Sequence, residues 1–260
     1  MKIVQIFSII FLIGCVKSQG PIVIPDDSEV LEFTVQIERA ALQANQQNIF
    51  LSVGTLLTLS HVLSPGHIFD FPFVNASNPN QIVIRFRGNQ LGHGFRASPN
   101  LITRHQTADL AILRMTHRVD QQFRFAPRNR VDLTWNRFCT IYGFDIGQVS
   151  PTAQQLVGTS AMIRNSTDAS CNTGFCAIGT VGQFSHCDGF IGSPVTCDGV
   201  SVAAIVIEDH FCALTTASAT LFRLSDQTEW INTHTSGAKI STQSTVFGVI
   251  LGALLMRFMA

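Results

Sequence analysis

Three segments of the chain carry side chains that work together in nucleophilic catalysis. His61 stands in the segment Leu57–Val62, and Asp109 stands in the segment Thr107–Leu113. A third, glycine-containing segment runs between Cys187 and Cys197. A hydroxyl can attack a carbonyl when an imidazole accepts its proton and a buried carboxylate orients that imidazole. The first two segments contain an imidazole and a carboxylate of the types that this chemistry uses, and the third contains the hydroxyl of Ser193.

The elements that must position these residues are predicted to be strands. Residues Gln81–Arg87 alternate between a face with Ile82, Ile84 and Phe86 and an opposite face, which is typical of a half-buried strand. Further strand candidates rich in Ile and Val are Leu110–Met115, Cys139–Phe144 and Val200–Ile207. A helix is predicted to begin at a capping Ser225 and to run through Trp230 and Ile231. Many short strands over one body indicate an all-β sandwich or paired barrels.

Composition excludes several classes of protein. The 260 residues are 46% hydrophobic and 13% charged, which argues against disorder. The net charge is zero, with 17 basic and 17 acidic side chains, and it gives no electrostatic reason to expect a nucleic-acid partner. Arginines gather between Arg114 and Arg137, and we interpret this stretch as a solvated connecting segment rather than a polyanion site.

The two ends have the pattern of targeting segments. Residues 1–18 read as a signal peptide, with Lys2 before an apolar stretch and small residues before the cleavage point. At the other end, Ser236 begins a small-residue triplet, and residues 237–260 read as the propeptide of a GPI-anchor signal. Thr235 is the alternative attachment residue. A spanning or a secreted form is the alternative, but Val246–Met256 is short against the roughly 20 residues that cross a bilayer. We therefore expect the protein on the extracellular face of the plasma membrane.

Cysteine use agrees with export. Cys15 leaves with the signal peptide, and the six remaining cysteines, all in the second half, predict three disulfides. Asn75 and Asn165 begin N-glycosylation sequons. The eight histidines show no ligand spacing, so we expect no metal and no cofactor.

The three segments resemble the motifs of the trypsin-like serine protease family. Leu57–Val62 resembles its histidine motif, Thr107–Leu113 its aspartate motif, and Cys187–Cys197 its nucleophile motif. The resemblance covers about residues 22–234. It implies two antiparallel six-stranded β-barrels at about residues 22–122 and 123–222, with a C-terminal helix at about 225–234, in one domain of residues 19–236.

The resemblance also implies that the nucleophile is missing. The spacing from Cys187 places Ile191 at the nucleophile position, and isoleucine has neither a proton to lose nor a lone pair. Ser193 lies two residues on, several ångströms along an extended chain at roughly 3.3 Å per residue, and is not expected to reach His61. The triad positions are then His61, Asp109 and Ile191, and no catalytic residue is functional.

Other positions depart from the family in the same direction. The aspartate that orders the oxyanion hole in active members is Phe190 here, and Pro21–Pro25 lacks the cleavable basic residue. Gly189 and Ile191 fall at the oxyanion positions, and Ser185 falls at the floor of the specificity pocket. The segment Ile207-Glu208-Asp209 replaces the strand that pairs with substrate.

The family pattern implies a specific pairing of the cysteines. The expected disulfides are Cys139–Cys197, Cys171–Cys176 and Cys187–Cys212, all in the second barrel. The family bridge beside the catalytic histidine is missing, because Val62 stands at the cysteine position.

The sequence thus predicts an inactive serine protease homologue that binds an extracellular protein partner, such as a protease, its substrate or an inhibitor. Two other hypotheses stay open. One is a serine-type endopeptidase with residual or unconventional activity, and the other is an adhesion protein that acts through its glycosylated surface.

Overall fold

The computed structural model describes residues 22–26, 28–41, 43, 46–70, 78–119, 133–146, 154–165, 171, 174–179, 189–199, 201–209 and 218–236. Several predicted features lie outside these residues: the signal peptide, the anchor propeptide, the sequon at Asn75, Ser185 and the Cys187–Cys212 pair. Among the described residues, no helix has the length and apolar character needed to cross a membrane.

The fold is mostly β, with 51% of the described residues in strands, and consists of a closed antiparallel barrel, a half-barrel and one short C-terminal helix. The prediction of an all-β, trypsin-like two-barrel architecture is confirmed, although one of the barrels is only half formed. The elements in chain order are β1 (Ile22–Val23), α1 (Val30–Phe33), β2 (Thr34–Arg39), β3 (Ile49–Thr58), β4 (His61–Ser64), β5 (Ile82–Phe86), β6 (Phe95–Ala97), β7 (Pro99–Arg104), β8 (Ala111–Met115), β9 (Phe138–Phe144), β10 (Leu156–Asn165), β11 (Phe175–Ile178), β12 (Pro194–Thr196), β13 (Val202–Asp209), β14 (Ser218–Arg223) and α2 (Thr228–Thr235).

The first half of the chain forms the half-barrel. Its strand order is β6-β5-β2-β3-β4-β8-β7, and all pairs are antiparallel. The alternation of Ile82, Ile84 and Phe86 has the predicted consequence, because all three side chains are buried in the core. The strand predicted for Leu110–Met115 forms as β8, which begins at Ala111.

The second half of the chain forms the closed barrel. Strands follow the order β10-β11-β14-β13-β12-β9, and β9 closes the barrel by pairing with β10 from Phe144↔Leu156 to Phe138↔Met162. The predicted strands at 139–144 and 200–207 form as β9 and β13. Two of the predicted disulfides, Cys139–Cys197 and Cys171–Cys176, are formed.

Two predicted boundaries differ from the structure. Residues 22–23 were expected at the start of the first barrel, but β1 pairs with β10 and so extends the second sheet. At the other end, Leu224–Gln227 forms a 3₁₀ turn, and α2 begins only at Thr228 without a side-chain cap from Ser225. The hydroxyl of Thr228 bonds back to the carbonyls of Leu224 and Ser225, which stabilises the tight turn in place of a capped helix start.

Candidate functional site

The site is built around a histidine and an aspartate in direct contact. His67 Nδ1 lies 2.6 Å from Asp109 Oδ2, and the backbone N–H of His67 donates to Asp109 Oδ1 at 2.7 Å. The backbone N–H of Gly66 also helps to lower the pKa of that carboxylate. Because Nδ1 donates to the carboxylate, the neutral imidazole keeps Nε2 as its basic atom. This is the orientation that a general base needs.

The predicted pairing of His61 with Asp109 is wrong, and the register of β4 on β8 gives the reason. His61 pairs with Arg114 and Ser64 pairs with Ala111, so Asp109 lies beyond the Ser64 end of the ladder. His61 is five residues from the position opposite Asp109, roughly 16 Å along an extended strand. The turn Pro65-Gly66 then delivers His67, not His61, to the carboxylate.

His61 has a different environment in the hairpin between β3 and β4. Its side chain is 5% exposed, and its Nδ1 lies 2.8 Å from Thr58 Oγ1 and 3.2 Å from Ser60 Oγ. Burial lowers the pKa of His61, and the nearby Arg114 charge lowers it further. His61 is therefore a neutral, hydrogen-bonded part of the hairpin.

Charge around His67 has the opposite effect. The hydrogen bond to Asp109 raises the pKa of His67 despite partial burial, and the negative charges of Asp109, Asp70 and Glu208 contribute in the same direction. Burial raises the pKa of Asp109, but the hydrogen bond and charge of His67, with the backbone N–H groups, outweigh it, so that pKa lies below its usual value. The site thus favours an imidazolium–carboxylate pair, with His67 41% and Asp109 30% exposed in their side chains.

The loop with Ile191 packs against β3 and against Pro65, in the turn that precedes His67. The carbonyl of Ile191 accepts a hydrogen bond from the backbone N–H of Val53 at 2.8 Å. Gly192 has a φ of +80°, and a Cβ there would lie 1.9 Å from the Val53 carbonyl oxygen and 3.1 Å from Pro65 Cδ. Pro65 is two residues before His67. The loop that carries the aliphatic side chain of Ile191 therefore contacts the Pro65-Gly66 turn of the His67–Asp109 pair, which we call the dyad. The Ile191 side chain is partly buried against the core.

Phe190 is part of the core next to the same loop. Phe190 is 3% exposed. Its ring packs directly on Gly143, where an added Cβ would lie only 2.4 Å from Phe190 Cδ1. Ile22 and Val23, by contrast, form a surface strand and are 59% and 50% exposed. The start of the described chain is therefore on the surface and is not buried beside Phe190.

The remaining predicted site residues have varied surroundings. Gly189 accepts a hydrogen bond from the backbone N–H of Phe144 at 2.9 Å. Ser193 is fully buried, and among the described residues its Oγ has no hydrogen-bond partner, including His67. Glu208 lies at the exposed end of β13, and Thr220 donates to its carboxylate at 3.3 Å. Asn165 ends β10 and is partly exposed.

His67 is the residue that sequence reasoning missed. The signal for it is a strand followed by the small residues Pro65-Gly66, which leave room for the backbone to approach a carboxylate. A Cβ on Gly66 would lie 3.1 Å from Asp109 Oδ1. Ile68 follows His67 and Val62 follows His61, so neither histidine is followed by a cysteine.

No cluster of three or more His, Cys, Asp or Glu side chains suited to a metal occurs in the described part of the chain. In comparisons with known proteins, the chain matches no model of a protein family and no curated protein.

Proposed function

We propose that the chain is a non-catalytic homologue of the trypsin-like serine proteases, GPI-anchored at the cell surface, that binds an extracellular protein partner through the surface around His67. The partner would be a protease, its substrate or an inhibitor, and the protein would act as a regulator or cofactor. The His–Asp pair is retained in this proposal, but with His67 in the role first assigned to His61.

The observation that carries the proposal is the placement of Ile191. The dyad is complete and correctly oriented, yet the loop that contacts its Pro65-Gly66 turn carries an aliphatic side chain. An acyl-enzyme requires a nucleophilic atom within about 3 Å of the imidazole. Ser193, the hydroxyl nearest in sequence, is buried without a hydrogen bond to the dyad.

A serine-type hydrolase with unconventional activity is the second candidate. The geometry that favours it is the dyad itself, in which Asp109 orients His67 through two hydrogen bonds. An imidazole so held could activate water or a hydroxyl supplied by a partner.

Fluorophosphonate labelling of the full chain, produced through a eukaryotic secretory pathway, separates the two candidates. The proposal predicts no adduct on the wild type and none on His67→Ala, alongside an active trypsin-like control. A stoichiometric serine adduct that His67→Ala abolishes and His61→Ala does not would establish a hydrolase and refute the non-catalytic reading.

Binding through the surface around His67 is tested by site-specific cross-linking at the cell surface. The negative charge of Glu208 acts on the imidazole of His67 and raises its pKa, so Glu208 lies near the dyad. A photo-reactive amino acid in place of Glu208 is expected to yield a discrete cross-linked protein. The matched control places the same amino acid at Asn136, an exposed turn residue of the second barrel. Equal cross-linking from both positions, or none from Glu208, would contradict a partner bound at the surface around His67.

A further inference from the structure

A groove lies on the half-barrel between the β5–β6 hairpin and the segment that follows β8. Its volume is about 700 Å³. Val83 and Phe86, which are buried, and Ala97 and Val119, which are partly buried, are among the residues that line it. A cavity of this size and character suits a few apolar side chains of a ligand.

The rim of the groove is basic. Arg87, Arg96, His117 and Arg118 line it, and none of the described residues that line it is an Asp or a Glu. Arg87 donates to Glu32 at 3.1 Å, which offsets part of its charge. Arg96, His117 and Arg118 are exposed side chains on two sides of the opening. The charges of Arg96 and Arg118 favour acidic groups on a ligand.

Phe95 adds an exposed aromatic surface to the same rim. It is 67% exposed on β6, the end strand of its sheet, next to Arg96. Exposed aromatic residues with neighbouring arginines are the residue types that dominate the energetics of protein interfaces.

The geometry points to a docking groove for a segment of a partner protein that carries acidic side chains beside aliphatic or aromatic ones. The apolar side chains enter between β6 and Val119, and the carboxylates meet Arg96 and Arg118 at the rim. A polyanion without apolar groups would contact only the basic side chains at the rim and would leave the apolar lining of the groove uncovered.

This groove is separate from the dyad and goes beyond the proposed function. Asp109 precedes β8 and Thr116 follows it, seven residues later, which is roughly 23 Å along an extended strand. A partner held in the groove therefore leaves the surface around His67 uncovered, and failure of either proposal does not affect the other.

The test uses the full chain and a fluorescein-labelled peptide in which Glu alternates with Phe and Leu, followed by anisotropy. We expect saturable binding that weakens at least about tenfold in the double variant Arg96→Glu, Arg118→Glu and also weakens in Phe95→Ser. Because all three side chains are exposed, the variants are expected to keep the wild-type circular dichroism spectrum and melting temperature. Arg137→Glu is the matched control, since Arg137 is exposed outside the groove, and it is expected to bind as the wild type does.

Two comparison ligands make the result decisive. A peptide with Lys in place of Glu and a peptide with Ser in place of Phe and Leu should both bind at least about tenfold more weakly. Equal binding of the Lys peptide, equal binding of the Ser peptide or of a heparin oligosaccharide, or an Arg137→Glu effect as large as that of the double variant would each overturn the proposal. Absence of binding by the Glu peptide would overturn it as well.

Discussion

Replacement of Phe190 by Asp would introduce the acid that the proposed relation to trypsin-like enzymes implies for this position, and we expect it to destabilise this protein severely. Phe190 is 3% exposed and its ring lies against Gly143, so the substitution empties a core site. Removing a buried phenylalanine side chain costs about 3–5 kcal/mol, and burying an unpaired carboxylate adds to that cost. A loss of about 5 kcal/mol is comparable with the whole stability of many domains.

The assay is guanidinium denaturation of the disulfide-bonded protein, followed by tryptophan fluorescence at two pH values. Phe190→Asp should lower the midpoint strongly at pH 7 and less at pH 4, where the carboxyl can bind a proton. Phe190→Leu should cost about 1.5 kcal/mol or less, and Phe138→Asp about 0.5 kcal/mol, since Phe138 is 63% exposed. The reasoning is refuted if Phe190→Asp lowers the free energy of unfolding by less than about 1.5 kcal/mol, because the site would then accept an acid without a buried ammonium partner.

Three further perturbations have defined outcomes. Asp109→Asn should lower the pKa of His67 and leave the pKa of His61 unchanged, as measured by NMR titration of the two imidazoles. In the wild type, the raised pKa of His67 stabilises the folded state below about pH 6.5, and this stabilisation is lost as the pH rises through the folded-state pKa. The substitution should remove that pH-dependent stabilisation. A His61 resonance that moves with the substitution instead would show that the dyad is misassigned. Gly192→Ala should cost at least about 2 kcal/mol in thermal unfolding, because φ is +80° and the new Cβ would lie 1.9 Å from a carbonyl oxygen; a neutral effect would contradict the loop geometry. Cys139→Ala removes the disulfide that closes a loop of 58 residues and should lower the free energy of unfolding by about 4 kcal/mol. A reduced wild type as stable as the oxidised wild type would contradict this prediction.

The strands of the barrels could be predicted because their signal is local. Alternation in Gln81–Arg87 and the Ile- and Val-rich runs later in the chain each bury one face, and the corresponding strands form within one or two residues of the predicted bounds. The pairing of Cys139 with Cys197 followed from family spacing and is confirmed. The start of α2 was less predictable, because a tight 3₁₀ turn competes with a capped helix over the same residues.

The sequence by itself determined that an imidazole and Asp109 are present, that strands surround them, and that Ile191 stands in the loop between Phe190 and Gly192. Residue types and short-range periodicity contain that information. Only the tertiary structure decided which histidine meets the carboxylate, because the choice between His61 and His67 depends on the register of β4 against β8. A register is a relation between segments some 50 residues apart, and it is selected by the side chains that the whole sheet buries together.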